Sequence, residues 1–247
     1  MKAGIKAIRK IKSNLIRIRI HWILEPFSSL FMTMAHLSRL SKWARSNQTS
    51  FNDFYTGHRD YNKRYDLYRH VISVENLSAV YYIEFGVAEG HSFRWWAENI
   101  KGSASLFAGF DTFEGLPEDW GYFKKGDMSA KGEFPDINDQ RCSFVKGKFQ
   151  ETLPTFLRDF KSDLKKVVHL DADIYTSTLF ALTMMGPYLN SGDILLFDEF
   201  NVPMHEFKAF TEFISSFYVK VSLIGAVNNY YQVAFRVEEN LSGLNKN

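Results

Sequence analysis

Acidic residues cluster at two places where apolar runs stop. In HLDADIYTST, residues 169–178, Asp171 and Asp173 follow Val167-Val168-His169-Leu170, and in LLFDEF the acids Asp198 and Glu199 close a second apolar run. If the two runs are neighbouring parallel strands, their ends lie about 5 Å apart. Asp171 then faces Asp198, with Glu199 alongside. Carboxylates that close repel and raise one another's pKa unless a cation neutralises them. An all-oxygen set without cysteine suits Mg2+, Mn2+ or Ca2+, with coordination positions left for other ligands. Asp173, two residues beyond Asp171, is the candidate proton acceptor. The competing reading is that the acids cap helices, Asp173 ahead of one starting at Ser177 and Asp198-Glu199 ahead of one near His205. His205 and His91 are softer candidates for substrate contact or proton transfer. Neither has an identified partner, and both are read as structural.

A second grouping lies upstream, in Glu84-Phe-Gly86-Val-Ala-Glu-Gly90-His-Ser92, which closes the apolar run AVYYIEFGV. In open parallel sheets ligands bind beyond the carboxyl ends of the strands, where glycine lets backbone approach the ligand. The spacing of Gly86 and Gly90 is not that of a GxGxxG fingerprint, so a dinucleotide site loses ground. Asp111 stands 25 residues after Gly86, at the expected end of the next strand. A carboxylate there can accept hydrogen bonds from both hydroxyls of an adenosine ribose.

The elements that must position these residues follow from alternation along the chain. Strands are expected over 79–87, 105–113, 141–149, 166–171 and 193–198, with helices over 91–100, 152–162, 177–189 and 205–217. Two last strands, 219–227 and 230–237, are joined by a short turn at Asn228-Asn229 and form an antiparallel pair. The fold class is therefore α/β: an open, doubly wound, mostly parallel seven-stranded sheet with an antiparallel C-terminal hairpin. With 45% hydrophobic residues in 247, a sizeable core can be buried. The single cysteine, Cys142, excludes an intramolecular disulfide and a cysteine-based zinc cluster. The segment 114–140 is too long for a plain connection and reads as a lid. Tyr61, Arg64 and Tyr68 read as one face of a helix packing on the sheet edge.

Charge is divided unevenly. Residues 1–45 hold ten Lys/Arg against the single acid Glu25, so this arm carries +9 and the remainder −7. The domain division is accordingly a basic helical arm over 1–50 and a larger domain over 51–247. Ile5, Ile8, Lys12, Leu15, Arg19 and Trp22 share a helical face, although Ile16-Arg-Ile-Arg-Ile20 alternates as a strand would. Arg17, Arg19, Glu25 and Pro26 interrupt every apolar stretch before the roughly 20 residues a membrane span needs. A cleaved signal peptide is not expected. Two readings of the arm stay open, a solvated or subunit-packing helix in a homo-oligomer and an interfacial helix on anionic membrane.

The phrases IEFGVAEGHS, GFDTFEGLPEDW and FVKGKFQETLP together resemble the macrocin O-methyltransferase family of class I S-adenosylmethionine enzymes, from about Tyr61 to Phe200. His91 and Ala88 stand where that family more often has Gly and Trp. The resemblance implies that Glu84, Gly86, Gly90 and Ser92 line the methionine and ribose side of S-adenosylmethionine, that Asp111 holds the ribose, and that Thr112, Gly147 and Phe149 lie near the adenosine. It further implies that Asp171, Asp198 and Glu199 are metal ligands, with Glu199 in place of the family's second Asp, and that Asp173 is the base. Such an enzyme methylates a hydroxyl of a sugar, glycan or natural product, since coordination of a hydroxyl to a divalent cation lowers its pKa. The expected setting is cytoplasmic, with the arm at the inner face of the membrane. The alternatives are an RNA-modifying methyltransferase gripping phosphates with the arm, and a binding protein that keeps the fold without turnover. The acidic body makes nucleic acid the weaker partner.

Overall fold

The computed structural model describes residues 2–240; residue 1 and residues 241–247, the outer ends of the expected arm and domain, lie outside the described residues. The chain opens with helices α1 (Lys2–Arg17), α2 (His21–Ser46) and α3 (Lys63–Val74). Strand and helix then alternate through β1 (Val80–Phe85), α4 (His91–Asn99), β2 (Leu106–Asp111), β3 (Cys142–Lys146), α5 (Phe149–Arg158), β4 (Lys165–Leu170) and α6 (Tyr175–Met185). The series closes with β5 (Ile194–Phe197), α7 (Glu206–Ser216), β6 (Val219–Val227) and β7 (Gln232–Asn240).

The strands form one sheet in the order β3-β2-β1-β4-β5-β7-β6, parallel from β3 to β5 and antiparallel at β7. The doubly wound, mostly parallel sheet expected from the sequence is thus present. Its parallel strands read as continuous apolar runs because both faces are covered. Ile83 and Phe85 of β1, with Val168 and Leu170 of β4, pack under α5, α6 and α7. The intervening Tyr82 and Val167 pack under α3 and α4 on the opposite face. Strand order reverses between β1 and β4, and at such a switch point the loops part to leave a crevice. The glycine loop follows β1 and Asp171 follows β4, so topology alone brings both groupings to that crevice.

Three boundaries differ from expectation. Gly147, at φ +140°, ends β3 early, and Phe149 opens α5 instead of closing a strand. The hairpin turn is longer than Asn228-Asn229, because Asn228, Asn229 and Tyr230 all have positive φ and β7 begins only at Gln232. The alternation over Ile16–Ile20 is not a strand. Arg19, at φ +55°, separates α1 from α2 instead.

Helix α2 is rooted in the body at its C-terminal end. The Trp43 ring lies against Phe200, Tyr230 and Phe235 with centroids 4.9, 5.7 and 5.9 Å away, and the Tyr230 hydroxyl lies 3.2 Å from the carbonyl oxygens of both Ala44 and Asn47, sharing its one proton between them. Towards its N-terminus the same helix leaves Trp22, Ile23, Phe27 and Leu30 exposed. Trp43→Ala is expected to cost about 3 kcal/mol by loss of packed aromatic area, whereas Trp22→Ala stays within about 0.5 kcal/mol of the parent. Urea unfolding of both variants measures the contrast.

Candidate active site

Glycine is required where β1 ends. Gly86 has φ +95°, and a Cβ there would lie 1.8 Å from the carbonyl oxygen of Asp171. The two strand ends are locked at this point, with Gly86 N donating to Phe110 O and Asp171 N to Phe85 O, each at 2.9 Å. Asp111, at the end of β2, holds the rest of the loop. Its Oδ2 accepts from the amides of Val87 and Ala88, and its Oδ1 from the amide of Phe113, all at 2.7 Å. These bonds fix Ala88 in the left-handed region, at φ +47°. The carboxylate read as a ribose acceptor is therefore first a brace for the backbone. Oδ1, with one amide bond, retains acceptor capacity.

Glu84 is buried beneath the loop and does not form the cleft wall. Tyr82 Oη donates to Glu84 Oε2 at 3.0 Å and lies 2.8 Å from His169 Nδ1. A phenol has one proton to give, so His169 Nδ1 is the donor to Tyr82, and Nε2 accepts from Tyr68 Oη at 3.4 Å. Burial, then the nearby Arg64, lowers the His169 pKa to about 3, and the ring is neutral. Burial likewise holds the Glu84 carboxyl well above its ordinary range.

The acids converge, but in two overlapping groups and not as the expected set of Asp171, Asp198 and Glu199. Carboxylate oxygens of Asp171, Asp173 and Glu199 lie within 4.8 Å of one another, and Asp171 and Asp198 form a like group with His169. Asp198 Oδ2 accepts from Tyr61 Oη and lies 3.9 Å from the Arg64 guanidinium. Glu199 Oε1 accepts from Tyr231 Oη at 3.0 Å, and the Glu199 amide donates to Glu206 Oε2 at 3.0 Å. Three buried oxygens, Asp198 Oδ1, Glu199 Oε2 and Glu206 Oε1, have no hydrogen-bond partner. Burial, and then the neighbouring negative charges, pushes Asp171 and Glu199 well above the usual carboxylate range. Burial also carries Asp173 up to about 7. Asp173 has φ +59°, a conformation that aspartate tolerates better than most residues but that still stores strain. The capping alternative finds no support in the geometry: among the described residues the N-cap positions Ile174 and His205 make no side-chain cap bond, and the first amide of α6 is bonded by His205 and not by an acid.

A cleft of about 650 Å³ joins the two groupings. Gly86, Ser92, Asp111, Thr112, Phe149, Asp171, Asp173 and Glu199 line it; Glu84, Gly90, Gly147 and Asp198 stand behind its wall. The long segment after β2 forms one side through Leu116, Trp120, Phe123 and Met128. It is tied to α6 by Thr176 Oγ1 donating to Glu118 Oε1 at 2.8 Å. The Trp120 and Phe123 rings stack 5.2 Å apart. His205 abuts Trp120 and accepts from the Tyr175 amide at 3.2 Å, and His91 pairs with Glu89 on the surface.

Sequence reasoning placed Tyr61, Arg64 and Tyr68 on a packing face, and Arg64 does share the buried face of α3 with Leu67, Tyr68 and Val71. Tyr61 and Arg64 also reach the acids and line the cleft, together with Arg59 and Tyr231. Arg59 sits 3.5 Å from the centre of the Tyr231 ring. The cluster of Arg59, Tyr61 and Arg64 just before the first helix of the body was the available signal, since buried acids need donors. Glu206 and Tyr231 carried none that spacing could reveal.

Residues 83–200, just under half of the chain, match the family model described as a methyltransferase domain. Both groupings fall inside that span. The chain has the class I methyltransferase fold. Among solved structures it is similar to the calicheamicin methyltransferase CalS11, at 21% identity and TM-score 0.54 over 82% of this chain and 91% of that one. It is also similar to the O-methyltransferase NovP, at 20% identity and TM-score 0.55 over 72% of this chain and 80% of that one. No curated protein matches the sequence.

Asp111→Ala removes three bonds from backbone amides at once and leaves amides of the glycine loop unpaired. It is expected to destabilise the fold by about 2–3 kcal/mol, and the loss is read from the midpoint of denaturant unfolding.

Proposed function

We propose that the chain transfers the methyl group of S-adenosylmethionine to a hydroxyl of a sugar, glycan or natural-product acceptor, with a divalent cation, Mg2+ or else Mn2+ or Ca2+, assisting. The observation that carries this reading is the single cleft shared by the glycine loop and the acid cluster, closed at its base by Gly86 against the Asp171 carbonyl. The methyltransferase-domain match spans both halves of that cleft. The motif resemblance to the macrocin O-methyltransferases supports the acceptor class. So does the description of CalS11, 22% identical in its ligand-free structure, as a TDP-rhamnose 3'-O-methyltransferase.

In this reading Glu84, Gly86, Gly90 and Ser92 serve the methionine and ribose side of S-adenosylmethionine, Asp111 the ribose, and Thr112, Gly147 and Phe149 the adenosine. Asp171, Asp198 and Glu199 hold the cation. The donor set fits a hard cation, because it is all oxygen and because Asp198 Oδ1 and Glu199 Oε2 are buried without partners. His169 is the poorer ligand, as both its nitrogens are engaged by tyrosines. A bound divalent cation would neutralise the crowded carboxylates and make an acceptor hydroxyl more acidic. Asp173, lining the cleft beside Asp171, accepts the hydroxyl proton as the acceptor oxygen bonds to the methyl carbon and the carbon–sulfur bond breaks. S-adenosylhomocysteine leaves with the former bonding pair on sulfur. Trp120 and Phe123 keep water from the reacting groups and offer flat aromatic faces to a sugar ring.

Asp173→Asn should lower kcat by about a hundred- to ten-thousandfold while calorimetric affinity for S-adenosylhomocysteine is unchanged. MgCl2 or MnCl2 should raise the melting temperature of the parent protein and of Asp173→Asn, but not of Asp171→Asn. Loss of the cation shift in Asp173→Asn as well would make Asp173 a ligand, not the base. Excess EDTA should abolish turnover, and full activity in its presence would remove the cation from the mechanism.

A further inference from the structure

We propose that α1 and the first half of α2 form a docking surface for an anionic phospholipid bilayer, along which the arm lies without crossing. On a helical projection of α1, Ile5, Ile8, Ile11 and Leu15 fall on one side with Lys12 among them, and Lys6, Arg9, Lys10 and Arg17 on the other. The isoleucines are uncovered, with Ile8 68% and Ile11 59% exposed. In the first half of α2, Ile23, Phe27, Leu30 and Met34 form an exposed apolar line, all between 53% and 64% exposed, and Trp22, Leu24 and Met32 are uncovered on its other sides. Isolated apolar residues on a surface need no explanation, but a stripe of this length over two consecutive helices does.

Both faces must be accounted for by one occupant. An anionic bilayer does so, because its acyl boundary takes the isoleucines and phenylalanines while its headgroups take the lysines and arginines. No helix among the described residues is long and apolar enough to cross a membrane, which leaves a helix lying in the interface. Nucleic acid would use the basic face and leave the apolar stripe in water. A second copy of the chain fits less well. Arm-to-arm pairing would bring together two surfaces of ten basic residues and one acid each. Pairing of the arm on the body of a second copy would satisfy the basic side alone, since acids such as Asp66, Glu114 and Asp159 are exposed there, and it is the competing occupant that vesicle sedimentation and light scattering separate. The root of the arm is fixed, since Trp43 packs on Phe200, the neighbour of Glu199. Docking therefore sets the orientation of the cleft relative to the lipid. This inference does not depend on the methyl-transfer reading.

The test is sedimentation of the full chain with phosphatidylcholine vesicles, alone or with about a third phosphatidylglycerol, at physiological salt. The parent protein should pellet with the anionic vesicles and stay largely in the supernatant with the neutral ones. Lys6→Glu/Lys10→Glu should lower partitioning at least about tenfold, and Ile8→Asn/Ile11→Asn should lower it comparably. Both variants should keep the parent's melting temperature, because these side chains are exposed. Equal pelleting with neutral and anionic vesicles overturns the proposal, as does unchanged binding of the charge-reversed variant. Absence of vesicle binding together with an arm-dependent dimer in light scattering would assign the stripe to a second copy and likewise overturn it.

Discussion

The crowding of carboxylates at the ends of β1, β4 and β5 is the constraint around which the rest of the molecule is arranged. Asp171, Asp173, Asp198 and Glu199 meet where the sheet reverses direction, with Glu84 and Glu206 behind them. Ionised carboxylates are costly to remove from water unless they are paired. The chain answers with donors from distant segments: Tyr61 and Arg64 at the start of α3, and Tyr231 at the head of β7. These donors leave Asp198 Oδ1 and Glu199 Oε2 without partners. A site with several acids, few donors and orphaned oxygens is one in which a proton or a cation carries part of the stability. The elevated pKa values of the acids express the same imbalance.

Much of this was legible in the sequence because the parallel strands have a strong signature. Each is short, apolar on both faces, and closed by a glycine or an acid, so their number and approximate positions along the chain could be read from runs alone, whereas their order in the sheet came from the structure. The positions of Asp171, Asp173 and Glu199 followed, since adjacency of β4 and β5 leaves little freedom at their ends. Asp111 was found for its chemistry as a ligand acceptor, whereas the geometry shows it bracing the backbone, because no spacing rule reveals that both of its oxygens meet backbone amides. Arg64 was placed on the correct, buried face of α3, but its reach to the acids, and that of Tyr61 just ahead of the helix, was not foreseen. Periodicity ranks apolar positions well, but does not say which polar residue at a helix start turns inward. The arm shows the same limit in reverse, for a strand-like alternation at Ile16–Ile20 had no neighbouring strand to pair with and became a helix end.

The contact between Gly86 and Asp171 ties the two halves of the cleft into one unit. With a carbonyl where a side chain would begin, the glycine loop cannot shift without moving the strand end that presents the acids. The long segment after β2 is fastened on the opposite side, through Pro135 against Gly90 and Glu118 against Thr176. Glycine loop, acids and the segment after β2 are therefore mutually constrained by close packing and a few hydrogen bonds. Preorganisation of that kind is what a methyl transfer between two bound reactants requires, because the gain comes from holding the attacking oxygen and the methyl carbon in line. The strained backbone of Asp173 fits this picture, since strain persists only where surrounding structure over-determines it.

The arm extends the same logic from the site to its surroundings. Its root is not a flexible tether: Trp43 is enclosed by Phe200, Phe207, Phe210, Tyr230 and Phe235, all beside or beneath the acid-bearing β5. A helix rooted there transmits orientation, whereas an unstructured linker would give only proximity. The positions nearest the root are shielded and those farther out are exposed and apolar, so the helix changes from core element to surface reader along its length. Such a gradient has little value for a chain that meets its acceptor by free diffusion in any orientation. It is useful when the acceptor is presented from one side only, and that geometric condition is one a surface-bound acceptor meets.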